Sequence, residues 1–175
     1  MSIQELRDTL KDYAKDIRLN LSTVLSEEGS PGLTLPQLAG VAVACAYFTR
    51  SQNVIQAVER EFQMTLSPEH VEAAKGAATI MAMNNIYYRF THLSDDKEIA
   101  KMPARLRMNV IGKPGIDKKD FELMCLAVSA LAGCGACINS HAKVIKDAGV
   151  SDEGIQSAVR IASVINAAAQ ALAIG

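Results

Sequence analysis

The chain has 175 residues, of which 49% are apolar and 21% charged, a composition that fits one globular domain and excludes a chain disordered throughout. Its 18 basic and 19 acidic residues leave a formal charge of −1. Without a cationic excess, nucleic-acid binding is not expected as its main activity.

Alanine occurs 26 times and tryptophan is absent, a composition that favours closely packed helices. We therefore predict an all-α helical bundle that forms a single domain over residues 1–175. Capping residues, prolines and glycines mark where each helix begins and ends. In chain order, the predicted elements are a helix from Ser2, a helix from about Thr34 to Phe48, a helix from Ser51 to about Met64, a long helix from Ser67 through Tyr87, a charged loop from Ser94 to Lys101, a turn over residues 112–115, a helix from Asp117 to about Ala132, a helix from about Gly135 to Gly149 and a last helix from Ser151 to the C-terminus.

A weak internal repeat accompanies this pattern. Residues of the helix near 38–43 recur 85 positions later, and those of the helix near 67–78 recur 84 positions later. Two copies of a helical hairpin followed by a long helix, in about residues 34–90 and 117–175, would explain the repeat. Chance similarity between alanine-rich helices explains it equally well.

The chain shows no sign of export or membrane insertion. Its apolar stretches do not reach the roughly 20 uninterrupted residues that a membrane span needs. Residues 1–5 open a charged helical pattern and not a signal peptide. We therefore predict a cytoplasmic protein that does not associate with membranes. In a reducing cytosol, a close cysteine pair favours metal binding or redox catalysis over a structural disulfide.

The residues with the clearest chemistry surround a Cys-x-x-Cys pair. At 100° per residue, Cys134, Cys137 and His141 fall within about 60° of one another on the helix after Gly133. Cys134 lies at the start of this helix, where the helix dipole favours a thiolate. His141 is one turn beyond Cys137 and is close enough to exchange a proton with it.

Glu122 is the predicted partner of His141. It lies eleven residues before Gly133, and His141 lies eight residues after it. In an antiparallel hairpin, the two side chains are roughly 16 and 12 Å from the turn, at about 1.5 Å per residue, so they could meet directly or through a water. The predicted arrangement is a Glu–His–Cys proton relay with a second cysteine poised to close a disulfide. A thiolate can attack a peroxide, and the neighbouring thiol then condenses with the sulfenic acid.

Zinc coordination by a small binding module is the main alternative. Cys134, Cys137 and His141 would supply three ligands, and His70 or His92 would have to supply the fourth. The chain has only one Cys-x-x-Cys pair, which makes this alternative weaker than redox chemistry. An inert buried pair is a further alternative.

The remaining sulfur-containing residues are predicted to belong to the core. Cys45 and Cys125 lie on alanine-rich helices, and the seven methionines are scattered. The stretch from Met81 to Tyr88 mixes polar and apolar residues. Burial in the core is favoured there over a pocket or a subunit contact.

The spacing of Glu122, Cys134-Gly-Ala-Cys137 and His141 resembles that of the alkyl hydroperoxide reductase D (AhpD) family, which has the AhpD/carboxymuconolactone decarboxylase-like fold. The resemblance covers nearly the whole chain and indicates AhpD in particular, not the wider superfamily. It includes four further segments: residues 1–6, 13–22, 77–89 and 106–116.

The resemblance implies an all-helical subunit that assembles into a homotrimer or a related homo-oligomer. It implies an antioxidant thiol peroxidase and disulfide reductase that reduces alkyl hydroperoxides weakly and regenerates the peroxiredoxin AhpC. The electrons would come from dihydrolipoamide, which is carried on a lipoylated 2-oxoacid dehydrogenase acyltransferase and recharged by dihydrolipoamide dehydrogenase with NADH. No bound cofactor or metal is implied.

The resemblance also implies a role for each residue. Cys137 would attack the peroxide and become a sulfenic acid, and Cys134 would be the proton donor and the resolving thiol. His141 and Glu122 would form the relay, with Glu122 as general base. Some family members have a histidine between the cysteines, where this chain has Ala136, so the relay here must rely on Glu122 and His141.

Two alternatives remain beside this assignment. The helix-dipole argument favours Cys134 as the more acidic thiol, so Cys134 is the alternative for the residue that meets the lipoyl or AhpC disulfide. A redox-inert decarboxylase of a ring-opened lactone is the alternative for the same fold. The Cys-x-x-Cys pair argues against it, because that reaction has no use for two adjacent thiols.

Overall fold

A computed structural model describes residues 1–96 and 98–175 in full. Its helices, interrupted early by a short 3₁₀ turn at Asp12–Ala14, confirm the predicted all-α class. No strand occurs among these described residues. The helices are α1 (Ile3–Thr9), α2 (Lys15–Val24), α3 (Leu35–Thr49), α4 (Gln52–Phe62), α5 (Pro68–Leu93), α6 (Lys97–Lys101), α7 (Asn109–Gly112), α8 (Lys118–Ala132), α9 (Gly135–Asp147) and α10 (Asp152–Ile174).

Most helices begin where the capping residues predict. At α3, the Thr34 hydroxyl accepts from the Gln37 N–H while the Gln37 side chain accepts from the Thr34 N–H, a complete capping box. The Asp117 carboxylate and the Ser151 hydroxyl cap α8 and α10 in the same position. Proline at the first position of α5 costs no hydrogen bond, because the first turn has free N–H groups.

The charged loop predicted from Ser94 to Lys101 is wrong over its second half, which forms α6. Asp96 caps this helix by accepting from the Glu98 N–H at 3.0 Å. The Lys101 ammonium lies 2.6 Å from the Glu98 carboxylate, three residues earlier. The run of charges therefore includes a cap and a pair at helical spacing, both of which favour a short helix.

The core forms where α3, α5, α8 and α10 pack against one another. Each of the four contributes fully buried alanines, among them Ala42, Ala74, Ala127 and Ala168. Such small side chains let helix axes approach closely, as the alanine content predicts. α9 packs against α8 and α5, so the predicted reactive residues are held against the core helices.

The order of elements is the same in both proposed repeat halves. α3, α4 and α5 have 15, 11 and 26 residues, and α8, α9 and α10 have 15, 13 and 23. α3 contacts both long helices, α5 and α10, and α8 contacts the same two. The internal duplication itself stays a prediction.

Among the described helices, α10 alone has the length and apolar composition of a membrane span. It packs along α2, α3 and α8, and Ile161 and Ile165 on its inner face are fully enclosed. We therefore assign α10 to the core of the bundle.

Candidate active site

A tight turn between α8 and α9 brings the predicted site residues together. Gly133 adopts φ +69°, a left-handed conformation that favours glycine. The N–H groups of Gly133 and Cys134 then donate to the carbonyls of Ala130 and Ser129, which ends α8. The two helices run back along each other as the predicted antiparallel hairpin.

The two cysteines of the pair form a disulfide, with their Cα atoms 5.3 Å apart. Cys134 is the N-cap of α9, and its sulfur accepts from the Cys137 N–H at 3.3 Å. Cys134 is fully enclosed, whereas Cys137 is 7% exposed and lines a cavity. Of the two sulfurs, Cys137 is therefore the one that a molecule in the cavity meets first.

Glu122 and His141 meet directly. Oε2 of Glu122 lies 2.6 Å from Nδ1 of His141, and both side chains are buried. An ionised carboxylate can only accept, so Nδ1 donates and Nε2 is the nitrogen left for proton exchange. The predicted contact between the two helices is therefore present, without an intervening water.

His141 does not contact the cysteine sulfurs through a hydrogen bond in this disulfide state, as judged over the described residues. Its Nε2 instead lies 3.3 Å from the sulfur of Met81. A disulfide carries no proton to exchange, so the missing bond concerns only the oxidised state. The relay to Cys137 stays a prediction.

Met81 makes contacts at the site that no pattern in the sequence indicates. It is buried, as predicted for a core methionine, but its sulfur contacts both His141 and the Ser129 hydroxyl, the latter at 3.5 Å. Ser129 also donates to Oδ1 of Asn85 at 3.0 Å. The thioether of Met81 is a weak acceptor and is the group that Nε2 of His141 faces in the disulfide state.

The cavity beside Cys137 has a volume of about 310 Å³. Met81, Asn84 and Tyr88 lie on one face of α5, at helical spacing, and form one of its walls. The sequence favours burial over a pocket for this stretch, and the structure shows both. The available signal was the spacing of Asn84 and Tyr88, two polar side chains that share one helix face with Met81. The full lining is Met81, Asn84, Tyr88, Met108, Ile111, Glu122, Ala136, Cys137, Ser140, His141 and Val144.

A larger cavity, of about 610 Å³, lies along the neighbouring face of α5. Its lining includes Tyr47, Arg50 and Arg89, and none of the candidate site residues. The chemistry therefore belongs to the smaller cavity.

The other two cysteines are unsuited to nucleophilic chemistry. Cys45 and Cys125 are free and fully buried, as predicted. Burial raises the pKa of both thiols, and the nearby charge of Glu122 adds to the effect at Cys125. Both thiols therefore stay protonated at neutral pH.

The zinc alternative finds no support in the geometry. No group of three or more His, Cys, Asp or Glu residues that could hold a metal occurs in the described part of the chain. His70, one proposed fourth ligand, has its Nδ1 2.9 Å from the Ser67 hydroxyl at the start of α5. His92, the other, lies exposed at the opposite end of that helix.

The sequence of the segment that carries the Cys-x-x-Cys pair also matches a known protein family. Residues 97–174 match the model of the carboxymuconolactone decarboxylase family.

Individual proteins that match this chain over nearly its whole length identify the family more closely. The chain is 54% identical to the protein named alkyl hydroperoxide reductase AhpD of Azorhizobium caulinodans, over 98% of this chain and 93% of that protein. It is 53% identical to the protein of the same name in Rhizorhabdus wittichii, over 97% of this chain and 96% of that protein. The protein of that name in Coxiella burnetii is 52% identical over 96% of this chain and 95% of its own. The chain belongs to the AhpD family.

Proposed function

We propose that the chain is an alkyl hydroperoxide reductase that uses Cys137 as the peroxide-attacking residue and Cys134 as the resolving thiol. The name of its relatives supports the reaction, and their similarity extends over nearly the whole chain. The observation that carries the proposal is a buried Glu122–His141 hydrogen bond in the cavity that Cys137 lines.

The reaction begins with deprotonation of Cys137. His141 takes the thiol proton on Nε2, and the Glu122 carboxylate at Nδ1 stabilises the resulting imidazolium. The thiolate attacks the terminal oxygen of the hydroperoxide, the O–O bond breaks, and its electron pair leaves on the alkoxide. The alkoxide takes up a proton and departs as the alcohol. Cys137 is left as a sulfenic acid.

Cys134 then resolves the sulfenic acid. Its sulfur attacks that of Cys137, water leaves, and the disulfide seen in the structure forms. The enclosure of Cys134 and the exposure of Cys137 to the cavity support this division of roles.

The difference in exposure between the two sulfurs also supports an assignment of which one the reductant attacks. An external thiolate reaches the sulfur of Cys137, and Cys134 leaves as a thiolate that the Cys137 N–H stabilises at the helix start. This assignment reconciles the helix-dipole argument with Cys137 as the attacking residue, because Cys134 is the better leaving group.

Dihydrolipoamide is the proposed electron donor, supplied by a lipoylated 2-oxoacid dehydrogenase acyltransferase and recharged by dihydrolipoamide dehydrogenase. Oxidised AhpC is the proposed disulfide substrate. The proposed assembly is a homotrimer in the cytoplasm. The apolar part of the cavity wall, including Met108, Ile111 and Val144, suits an organic hydroperoxide.

Peroxide-dependent NADH consumption with dihydrolipoamide dehydrogenase and lipoamide tests the proposal. Wild type and Cys45→Ala, a change at a buried thiol outside the cavity, are expected to turn over equally. Cys137→Ser is expected to be inactive. Undiminished turnover in Cys137→Ser would reject the proposal.

A further inference from the structure

Two consecutive asparagines of α5 are buried, but the structure uses them differently. Asn84 is 4% exposed and Asn85 is 1% exposed. Oδ1 of Asn85 accepts a hydrogen bond from the Ser129 hydroxyl at 3.0 Å. Oδ1 of Asn84 is buried and has no hydrogen-bond partner; among the described residues the same holds for Nδ2 of Asn85, which lies outside the reactive cavity. A buried acceptor without a partner weakens the fold, so its presence calls for an explanation.

The unpaired oxygen belongs to a residue that lines the reactive cavity, together with Cys137 and His141. The other buried polar groups there are already engaged: Glu122 and His141 bond each other. The hydroxyl of Tyr88 lies 3.8 Å from the sulfur of Met108, to which it can donate. Asn84 therefore offers a buried, neutral acceptor that no described side chain of the protein satisfies.

A hydroperoxide carries one donor, the O–H on its terminal oxygen. We propose that Asn84 is a substrate-binding residue whose Oδ1 accepts this hydrogen bond, an inference that rests on the proposed peroxidase function. The terminal oxygen is then held beside Cys137, whose thiolate attacks it. The O–O bond breaks, the electron pair leaves on the alkoxide, and the proton held by Asn84 stays on the oxygen that becomes part of the sulfenic acid.

An amide suits this position better than a carboxylate. A second acidic side chain beside Glu122 would disfavour the thiolate that must form at Cys137. The neutral amide accepts the hydrogen bond without adding a charge. The alkyl group of the substrate would lie toward Met108 and Ile111.

Asn84→Leu tests the proposal, because leucine has the same number of side-chain heavy atoms and the same branching at Cγ, and has no acceptor. We expect the second-order rate of oxidation by cumene hydroperoxide, followed on the reduced protein, to fall at least about tenfold. The rate at which dihydrolipoamide reduces the disulfide should stay within about twofold of wild type, because that thiol attacks sulfur and needs no hydroperoxide acceptor.

Thermal stability separates binding from a structural role. Removing an unpaired buried acceptor should leave the Tm of Asn84→Leu unchanged or raise it. The matched Asn85→Leu change also removes an unpaired buried atom, Nδ2, but it breaks the hydrogen bond from the Ser129 hydroxyl, so its Tm should lie below that of Asn84→Leu. Asn84→Ala provides a second variant with the same expected loss of peroxide reactivity.

Oxidation of both Asn84 variants at the wild-type rate would overturn the proposal. An equal loss in the peroxide and dihydrolipoamide steps, or a lower Tm in Asn84→Leu, would also overturn it by indicating a structural role. Wild-type protein that hydroperoxide does not oxidise at all would reject the proposed function itself. That outcome is distinct, because it appears before any variant is compared.

Discussion

Glu122 Oε2 lies 2.6 Å from Nδ1 of His141, which orients the imidazole so that Nε2 faces Met81 in the cavity. The contact joins residues 19 positions apart in the chain and depends on the turn at Gly133. The carboxylate thus contacts Nδ1 and leaves Nε2 as the nitrogen to which the proposed relay assigns proton exchange.

Glu122→Gln should slow the reaction of the reduced protein with hydroperoxide. Glutamine can still accept from Nδ1, but the charge that stabilises the imidazolium is gone. We expect the second-order rate constant, measured by stopped flow, to fall about 10- to 100-fold with unchanged circular dichroism. Glu72→Gln, at an exposed acid of α5, is the control. A wild-type rate constant in Glu122→Gln would contradict the proposed Glu122–His141 relay.

Met81→Leu should lower activity with little loss of stability. The change removes the sulfur that faces Nε2 of His141 but nearly conserves core volume, so the free energy of unfolding should change by less than about 1.5 kcal/mol. We expect peroxide oxidation to slow severalfold. Met124→Leu, a buried methionine of α8 outside the cavity lining, is the control and should react normally. Equal rates in the two variants would assign Met81 to packing alone.

The four cysteines should differ sharply in their reaction with iodoacetamide. After reduction of the native protein, Cys137 should be alkylated first, because it lines the cavity. Cys45 and Cys125 should react only on unfolding, because burial encloses them and raises their pKa. Peptide mass spectrometry with and without denaturant checks this order. Early labelling of Cys45 would contradict the packing described for α3.

Stability should fall at alkaline pH. Burial raises the pKa of Cys45 and Cys125 above the ordinary thiol value of 9.0, so the folded chain keeps protons that the unfolded chain releases. Their contribution is fully present below pH 9 and declines as pH rises, by at most about 1.4 kcal/mol per pH unit for each thiol. The pKa of Tyr47 is raised above 10.0 by burial and by its bond to Glu59, which extends the decline.

Denaturant titrations of the disulfide form measure this effect, since Cys134 and Cys137 cannot titrate there. A double variant, Cys45→Ala with Cys125→Ala, should lose the decline between about pH 9 and 10. An unchanged profile in the double variant would place the titrating groups elsewhere.

Gly133→Ala should destabilise the α8–α9 turn through the backbone alone. No atom lies within 4 Å of an added Cβ, but φ is +69°, where an L side chain costs about 1–2 kcal/mol. Gly112→Ala is the matched control: Gly112 likewise has open space around an added Cβ, but its φ is not positive. Equal free energies of unfolding for the two variants would refute the strained-turn explanation.

Much of the site was predictable because its determinants are local. Helical spacing places Cys134, Cys137 and His141 together, and Gly133 marks the turn. The distance of Glu122 from that turn then predicts its contact with His141, which the structure confirms. The helix caps were predictable for the same reason, since each depends on residues within three positions.

The rest depends on packing between distant segments. The contact of Met81 with His141 spans 60 positions, and no local pattern distinguishes it from an ordinary core methionine. The unpaired oxygen of Asn84 is likewise visible only once every neighbour has been placed. α6 was missed because its cap and charge pair resemble an ordinary charged loop.

The most direct test of Cys137 as the attacking sulfur uses Cys134→Ser, in which a sulfenic acid cannot be resolved. Reduced protein is treated with one equivalent of cumene hydroperoxide and a sulfenic-acid trap, and the adduct is located by peptide mass spectrometry. We expect the adduct on Cys137, formed more slowly when Glu122→Gln is added. Failure to find the adduct on Cys137, or an adduct that forms at the same rate with and without Glu122→Gln, would contradict the proposed mechanism.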